Sequence, residues 1–239
     1  MNVEKRPVAI LQHHGDVGPG YFEDWLREHR IDYRLVRIDQ GEPVPGCADD
    51  YAGICSLGGP MSVNDAPPWI GPELLLLRSA VGAGVPVIGH CLGGQLLAKA
   101  LGARVARAPV AEIGWGDVEV ADAAAARDWF GGRTRFALFQ WHYETFELPR
   151  GALRVLRNPW TANQAFVADG RHIGFQGHVE ITAAIARAWV AQSGGELPAR
   201  STPSTQCAED LLRDLDARVA ASNAVADDVY ARWARHLAG

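Results

Sequence analysis

The sequence predicts an α/β fold: a mostly parallel central sheet with helices on both faces, followed by a C-terminal helical extension. Three observations carry this. Through the first hundred residues, short apolar runs rich in β-branched side chains alternate with segments of helical period. Within that half, Gly84 to Ala100 reads as a buried strand, a tight turn and a helix. Beyond Gly102 the texture changes to short strand-like runs, two of them joined by the hairpin signal Asp169-Gly170.

Composition bounds the function. The chain has 239 residues, 48% of them hydrophobic and 21% charged, as in an ordinary globular protein with a sizeable core. A formal charge of -5 without a basic stripe argues against a nucleic-acid partner. No apolar stretch is long enough to span a membrane, and the run Val8 to Leu11 is too short for a signal peptide. Cys47, Cys55, Cys91 and Cys207 form no CxxC pair, which fits a reducing, cytoplasmic setting.

The elements follow in order. Pro7 to His14 is a first strand, and Tyr21 to Arg30 a helix with Phe22, Trp25 and Leu26 on one side. Asp32 to Ile38 alternates as a second strand, and Tyr51 to Leu57 is a third, ending in Gly58-Gly59-Pro60. A helix over about Pro72 to Val81 carries proline in its first turn. After the strand–turn–helix come a strand at Trp115 to Val120 and a short helix at Asp122 to Phe130. Further strands are expected at Phe136 to Trp141, Leu153 to Leu156, Gln164 to Ala168 and His172 to Gln176. Thr182 to Gln192 is a helix stopped at Ser193-Gly194-Gly195. These features divide the chain into residues 1–195 and an extension, 196–239. The extension opens on a Pro/Ser/Thr-rich linker and continues as two helices, about Ala208 to Ala220 and Ala224 to Leu237.

The chemistry gathers at the tip of the turn. Cys91 sits between the strand Val85–Ile88 and a helix that begins at Leu92, where unpaired N–H groups and the helix dipole favour a thiolate. Gly89, Gly93 and Gly94 clear the space that a sharp strand–nucleophile–helix elbow needs. A lone cysteine can instead be a small core hydrophobe, but a core cysteine needs no such turn. A nucleophile needs a base and a group that orients the base. His178 and Glu180, two apart in an extended stretch, leave the same face. They read either as the base and its orienting acid or as an exposed pair on a surface strand. His13 and His14 have no partners at ligand spacing, so no metal site is predicted, and no phosphate-binding or dinucleotide fingerprint implies a cofactor.

Three motifs together resemble a known family. Gly89-His90-Cys91-Leu92-Gly93-Gly94-Gln95 is similar to the G-x-C-x-G-x-Q nucleophile motif of class I glutamine amidotransferases. Gly58-Gly59-Pro60 resembles their oxyanion strand, and Phe175-Gln176-Gly177-His178-Val179-Glu180 their closing F-Q-x-H-P-E motif. The motifs stand in family order, over about residues 5–192, and most resemble the stand-alone subgroup related to the amidotransferase domain of GMP synthase. Val179 departs from the usual proline, and His90 from the usual aliphatic residue; packing is the expected role of His90.

The resemblance implies a flavodoxin-like fold and a Cys91–His178–Glu180 triad that hydrolyses the side-chain amide of glutamine through a γ-glutamyl thioester. It further implies oxyanion donors at Gly58-Gly59 and Leu92, a substrate contact from Gln95, and a Gln140-Trp141-His142 segment whose backbone holds the amino-acid end of glutamine. Glu112-Ile113-Gly114-Trp115 resembles a structural segment of the same subgroup. The ammonia released implies a separate synthase subunit as acceptor. The same residues would equally serve a cysteine γ-glutamyl hydrolase or peptidase acting on another γ-glutamyl amide. The C-terminal helices are free to cap the domain, to form a homodimer or to dock a partner.

Overall fold

Strand β1 (Val8–Gln12) shows how the molecule is layered. Val8 and Ile10 point into one apolar cluster, Ala9 and Leu11 into another, and all four are fully buried. A strand buried on both faces lies between two layers of helices. The computed structural model describes residues 6–237; the start of the N-terminal segment weighed above as a leader lies outside the described residues.

The sheet has nine strands in the order β2-β1-β3-β4-β9-β8-β7-β5-β6. The new labels are β2 (Tyr33–Arg37), β3 (Gly53–Ser56), β4 (Val87–His90), β5 (Val105–Val120), β6 (Arg135–Phe146), β7 (Leu153–Arg157), β8 (Ala165–Ala168) and β9 (His172–Phe175). The β2-β1-β3-β4-β9 part is parallel, and β9-β8-β7-β5-β6 continues it antiparallel. The change of hand coincides with the change of texture after Gly102. The hairpin between β8 and β9 turns at Asp169 and Gly170, both with positive φ (50° and 68°).

Helices α1 (Tyr21–Glu28), α4 (Ala123–Trp129) and α7 (Leu215–Ala234) cover one face; α2 (Ile70–Ala83) and α3 (Leu92–Ala100) cover the other. Helix α5 (Ala183–Gln192), the short α6 (Ala208–Leu212) and the start of α7 pack on Ile113 and Phe139 as a third cluster. Two helices carry side-chain caps: Asp122 accepts from the N–H groups of Ala124 and Ala125, and Thr182 from that of Ile185.

Two expectations are corrected. The strand expected at Trp115–Val120 spans Val105–Val120, and the one at Phe136–Trp141 spans Arg135–Phe146. The two pair as a long antiparallel ribbon whose register shifts between Arg107 and Glu112, and this irregularity hides the alternation. The C-terminal helices break at a different place. The expected pause near Ala221–Asn223 lies inside α7, and the break falls at Asp214, whose φ is 51°. Leu215, Val219, Ser222, Ala226, Val229 and Trp233 form one unbroken buried stripe at helical spacing, so the apolar face never loses phase. The preceding stretch is tied to the sheet: Thr205 bridges Ile113, and the Gln206 side chain accepts the Trp115 N–H at 2.9 Å.

Candidate active site at the elbow

Cys91 occupies the N-cap of α3 with φ 49°, a left-handed backbone that costs a non-glycine residue about 1–3 kcal/mol. The turn exists because its glycines allow close contact. A Cβ on Gly93 would lie 1.9 Å from the Ser56 carbonyl oxygen, and one on Gly94 2.2 Å from that of Phe175. The helix therefore rests directly on the ends of β3 and β9. Cys91 is 7% exposed, and its Sγ lies 3.9 Å from the Trp141 carbonyl oxygen and 3.9 Å from Gln176 Nε2. By contrast Cys55 is wholly buried in β3, and burial pushes its thiol pKa well up.

His178 follows β9. Its N–H donates to the Phe139 carbonyl at 2.8 Å, which pins the residue between the parallel and antiparallel halves of the sheet. The Nδ1–H donates to Glu180 Oε1 at 2.6 Å, which leaves Nε2 for the Cys91 side. Burial alone would lower the His178 pKa. The facing Glu180 carboxylate and Cys91 outweigh it and raise the value to about 10. Burial would likewise raise the Glu180 pKa, but His90 and His178 hold the carboxyl below the usual carboxylate range.

His90 packs against Phe22, Phe175 and Tyr230, as expected, but it also has a polar role that the sequence reading lacks. Its Nδ1–H donates to the second oxygen of Glu180 at 3.1 Å. Glu180 is thus held on both oxygens. Burial keeps the His90 pKa low, so the neutral ring is the stable form.

Gly58 and Gly59 approach the elbow where side chains would not fit. A Cβ on Gly58 would lie 3.1 Å from His178 Cε1, and one on Gly59 2.9 Å from the Leu92 side chain. The Leu92 N–H, first in its helix, has no intrahelical acceptor. Gln95 is buried, donates to the Glu144 carbonyl at 3.1 Å and Gln176 Oε1 at 3.3 Å, and lines a space beside Cys91. Trp141 and His142 line the same space. Gln140 does not: its amide donates to Gln164 at 3.1 Å, within a buried network around Glu112. Glu112, read as part of a structural segment, accepts from Asn158 and Gln164 and faces His142 at 3.4 Å.

Near the elbow, His13, weighed in the sequence as a metal ligand, has a different partner, and Glu73, Trp189 and Glu196 were not singled out. His13 and Glu73 form a fully buried pair at 2.8 Å, and the other His13 nitrogen lies 3.1 Å from the Leu57 carbonyl at the root of Gly58-Gly59. Both His13 partners are acceptors. Its pKa is raised because Glu73 and the backbone carbonyls outweigh burial, the largest influence. Trp189 meets the His178 ring edge-on at 4.9 Å, and Glu196, just past the stop of α5, lies at the mouth. Only the apolar stripe of α5 signalled Trp189, and nothing local signalled Glu73. Among the described residues, no three His, Cys, Asp or Glu side chains converge as a metal site.

The class-I glutamine amidotransferase family model matches residues 22–190. The chain belongs to the class-I glutamine amidotransferase family. This amidotransferase chain superposes on a glutamine amidotransferase from Methylobacillus flagellatus with a TM-score of 0.94, at 45% identity over 98% of this chain and 96% of that one. A glutamine amidotransferase from Thermotoga maritima matches at TM-score 0.85, with 28% identity over 97% and 99% of the two chains. A GMP synthase from Aeropyrum pernix is 36% identical over 59% of this chain and 26% of its own length. The amidotransferase chain thus spans about a quarter of that relative. The glutamine amidotransferase-like protein YfeJ of Salmonella typhimurium is 27% identical over 80% of this chain and 82% of its own.

Proposed function

We propose that this chain hydrolyses the γ-amide of glutamine, with Cys91 as nucleophile, His178 as general base and acid, and Glu180 as the group that orients His178. The observation that carries this reading is the buried line Glu180–His178–Cys91, with the Nδ1–H of His178 committed to Glu180 at 2.6 Å and its other nitrogen left to the elbow. His178 takes the thiol proton, and Sγ adds to the amide carbon. The N–H groups of Gly59 and Leu92 receive the oxyanion, and a donor of this kind contributes about 2.7–4 kcal/mol. The C–N bond breaks as His178 delivers its proton to the departing nitrogen, which leaves as ammonia. Water, activated by the same imidazole, then frees glutamate from the γ-glutamyl thioester.

Gln95, Trp141 and His142 line the space beside Cys91 and would hold the amino-acid end of the substrate. Gln140 would act beneath them through its backbone and Gln164. The GMP synthases that the chain resembles are glutamine-hydrolysing synthases. By extension, a separate synthase is the acceptor of ammonia here. Residues 1–195 would be the catalytic unit, with 196–239 docked against it. Four free cysteines fit a reducing, cytoplasmic site of action.

The test is glutamate release from glutamine by the purified chain, beside Cys91→Ala and labelling with 6-diazo-5-oxo-L-norleucine. Release and labelling that both vanish in Cys91→Ala are expected. Absence of labelling in the wild-type chain would overturn the reading, because a formed glutamine pocket reacts even when turnover awaits a partner.

A further inference from the structure

Two lobes of open space meet at Cys91. One, about 250 Å³, lies over Gln95 and runs along Trp141 to Glu144. The other, about 200 Å³, lies on the His178 side and is lined by His14, Asp16, Trp141, Trp189, Gln192 and Glu196, among others. In acyl transfer the leaving group departs on the side of the general acid, because that acid must reach the leaving atom. Here that side is the second lobe. Ammonia is the size of a water, and a water needs only about 10–15 Å³ of such space. The lobe is many times too large for the leaving group of glutamine.

Its lining is mixed in charge and zoned by depth. The indoles of Trp141 and Trp189 and the acidic residues Asp16 and Glu196 line it together with His14 and His178, and no lysine or arginine is among its lining residues; Asp16 and Glu196 are exposed, whereas His178 is buried. Indole faces and carboxylates attract a cation. The aromatic wall is fixed in advance. Trp189 Nε1–H donates to the Asp16 carbonyl at 2.8 Å, and its ring meets Trp141 at 5.9 Å, edge to face. Glu196 lines both lobes, and its carboxylate accepts from the Tyr143 hydroxyl.

We propose that the second lobe receives the amine half of γ-glutamyl amides of aliphatic diamines, with the distal ammonium against Asp16, Glu196 and the two indoles. This rests on the reading of Cys91 as a γ-glutamyl hydrolase nucleophile and names a larger substrate class for it. Sγ adds to the γ-carbonyl carbon, the C–N bond breaks, and His178 delivers its proton to the departing nitrogen, leaving thioester and free diamine. Water then gives a proton to His178 and adds to the thioester, the C–S bond breaks, and glutamate leaves. One amide and one water become one glutamate and one diamine, with no other reactant.

The experiment compares kcat/KM of the full chain for three substrates: glutamine, γ-glutamyl-butylamide and γ-glutamyl-1,4-diaminobutane. The last two differ only in the distal ammonium. The diaminobutane amide is expected to exceed the butylamide by about two- to fivefold, the scale of a solvent-exposed cation–π contact. Glu196→Gln and Asp16→Asn are each expected to reduce that ratio, and added salt to reduce it further. Equal rates for the two amides would overturn the proposal, as would hydrolysis of glutamine alone. Turnover of none of the three would overturn it too. Labelling of Cys91 by 6-diazo-5-oxo-L-norleucine would then show whether the glutamine reading survives without it.

Discussion

Glu180 is bonded on both oxygens, to His178 at 2.6 Å and His90 at 3.1 Å, and all three side chains are buried. Its carboxylate outweighs the burial that would otherwise lower the His178 pKa. Glu180→Gln therefore lowers the His178 pKa from about 10, which a histidine-ring NMR titration reads directly. Glutamate release should fall by about 10²-fold or more, since loss of the orienting carboxylate misplaces the base. An unchanged His178 titration would contradict this account of the pair. The His13–Glu73 pair holds the Leu57 carbonyl that leads into Gly58-Gly59. Glu73→Gln strands a buried charge and is expected to cost about 3–5 kcal/mol in urea denaturation. Of these residues, Cys91 stood out from its turn, whereas spacing left His178 and Glu180 either a base with its acid or an exposed pair, and only the motif resemblance joined them to Cys91. Glu73 was not legible, since its partner lies 60 positions away and only the folded sheet brings them together.

At the scale of elements, the elbow was the most legible part of the chain, because a turn this tight leaves its requirement in three glycines. The space for Gly93 is the most demanding: Gly93→Ala would place a methyl 1.9 Å from the Ser56 carbonyl oxygen. Overpacking of this kind costs about 1–3 kcal/mol or more, and thermal unfolding should show it together with loss of glutamate release. Retention of both would contradict the close contact. Helix α7 was less legible. Ser222 and Asn223 interrupt its composition but not its stripe, and Ser222 is itself buried. The stripe ends in Trp233, which is wholly buried and fills the space over Gly53, where a Cβ would lie 2.8 Å from the indole. Trp233→Ala is expected to cost about 3–5 kcal/mol by denaturant unfolding, the scale for a buried tryptophan. A cost near zero would mean that α7 contributes little to the core.

For the whole molecule, pH response follows from histidines the fold holds in opposite states. Burial lowers the pKa of His90, and lowers that of His172 to about 4. Both rings stay neutral in the folded chain at pH values where the unfolded chain is protonated. Folding stability therefore falls as pH drops from about 6.5 toward 4. His178 and His13 are raised, so their contribution is present below about 6.5 and is lost as pH rises, for His178 through about 10. His172 Nδ1 accepts the Val87 N–H at 3.3 Å, a bond that asparagine can copy without titrating. His172→Asn is expected to flatten the acid slope by up to about 1.4 kcal/mol per pH unit, read from urea unfolding between pH 4.5 and 6.5. The α/β architecture itself was legible at this scale, because its helices and parallel strands are local periodic segments. The antiparallel ribbon of β5 and β6 was half hidden, since its register shift breaks the alternation that announces a strand.

The central claim is that a γ-glutamyl group passes through Cys91. Acid-quenched turnover followed by peptide mass spectrometry tests it most directly. The account predicts a γ-glutamyl adduct on the Cys91 peptide during glutamine turnover, with neither adduct nor glutamate in Cys91→Ala. Glutamate release that persists in Cys91→Ala would contradict it.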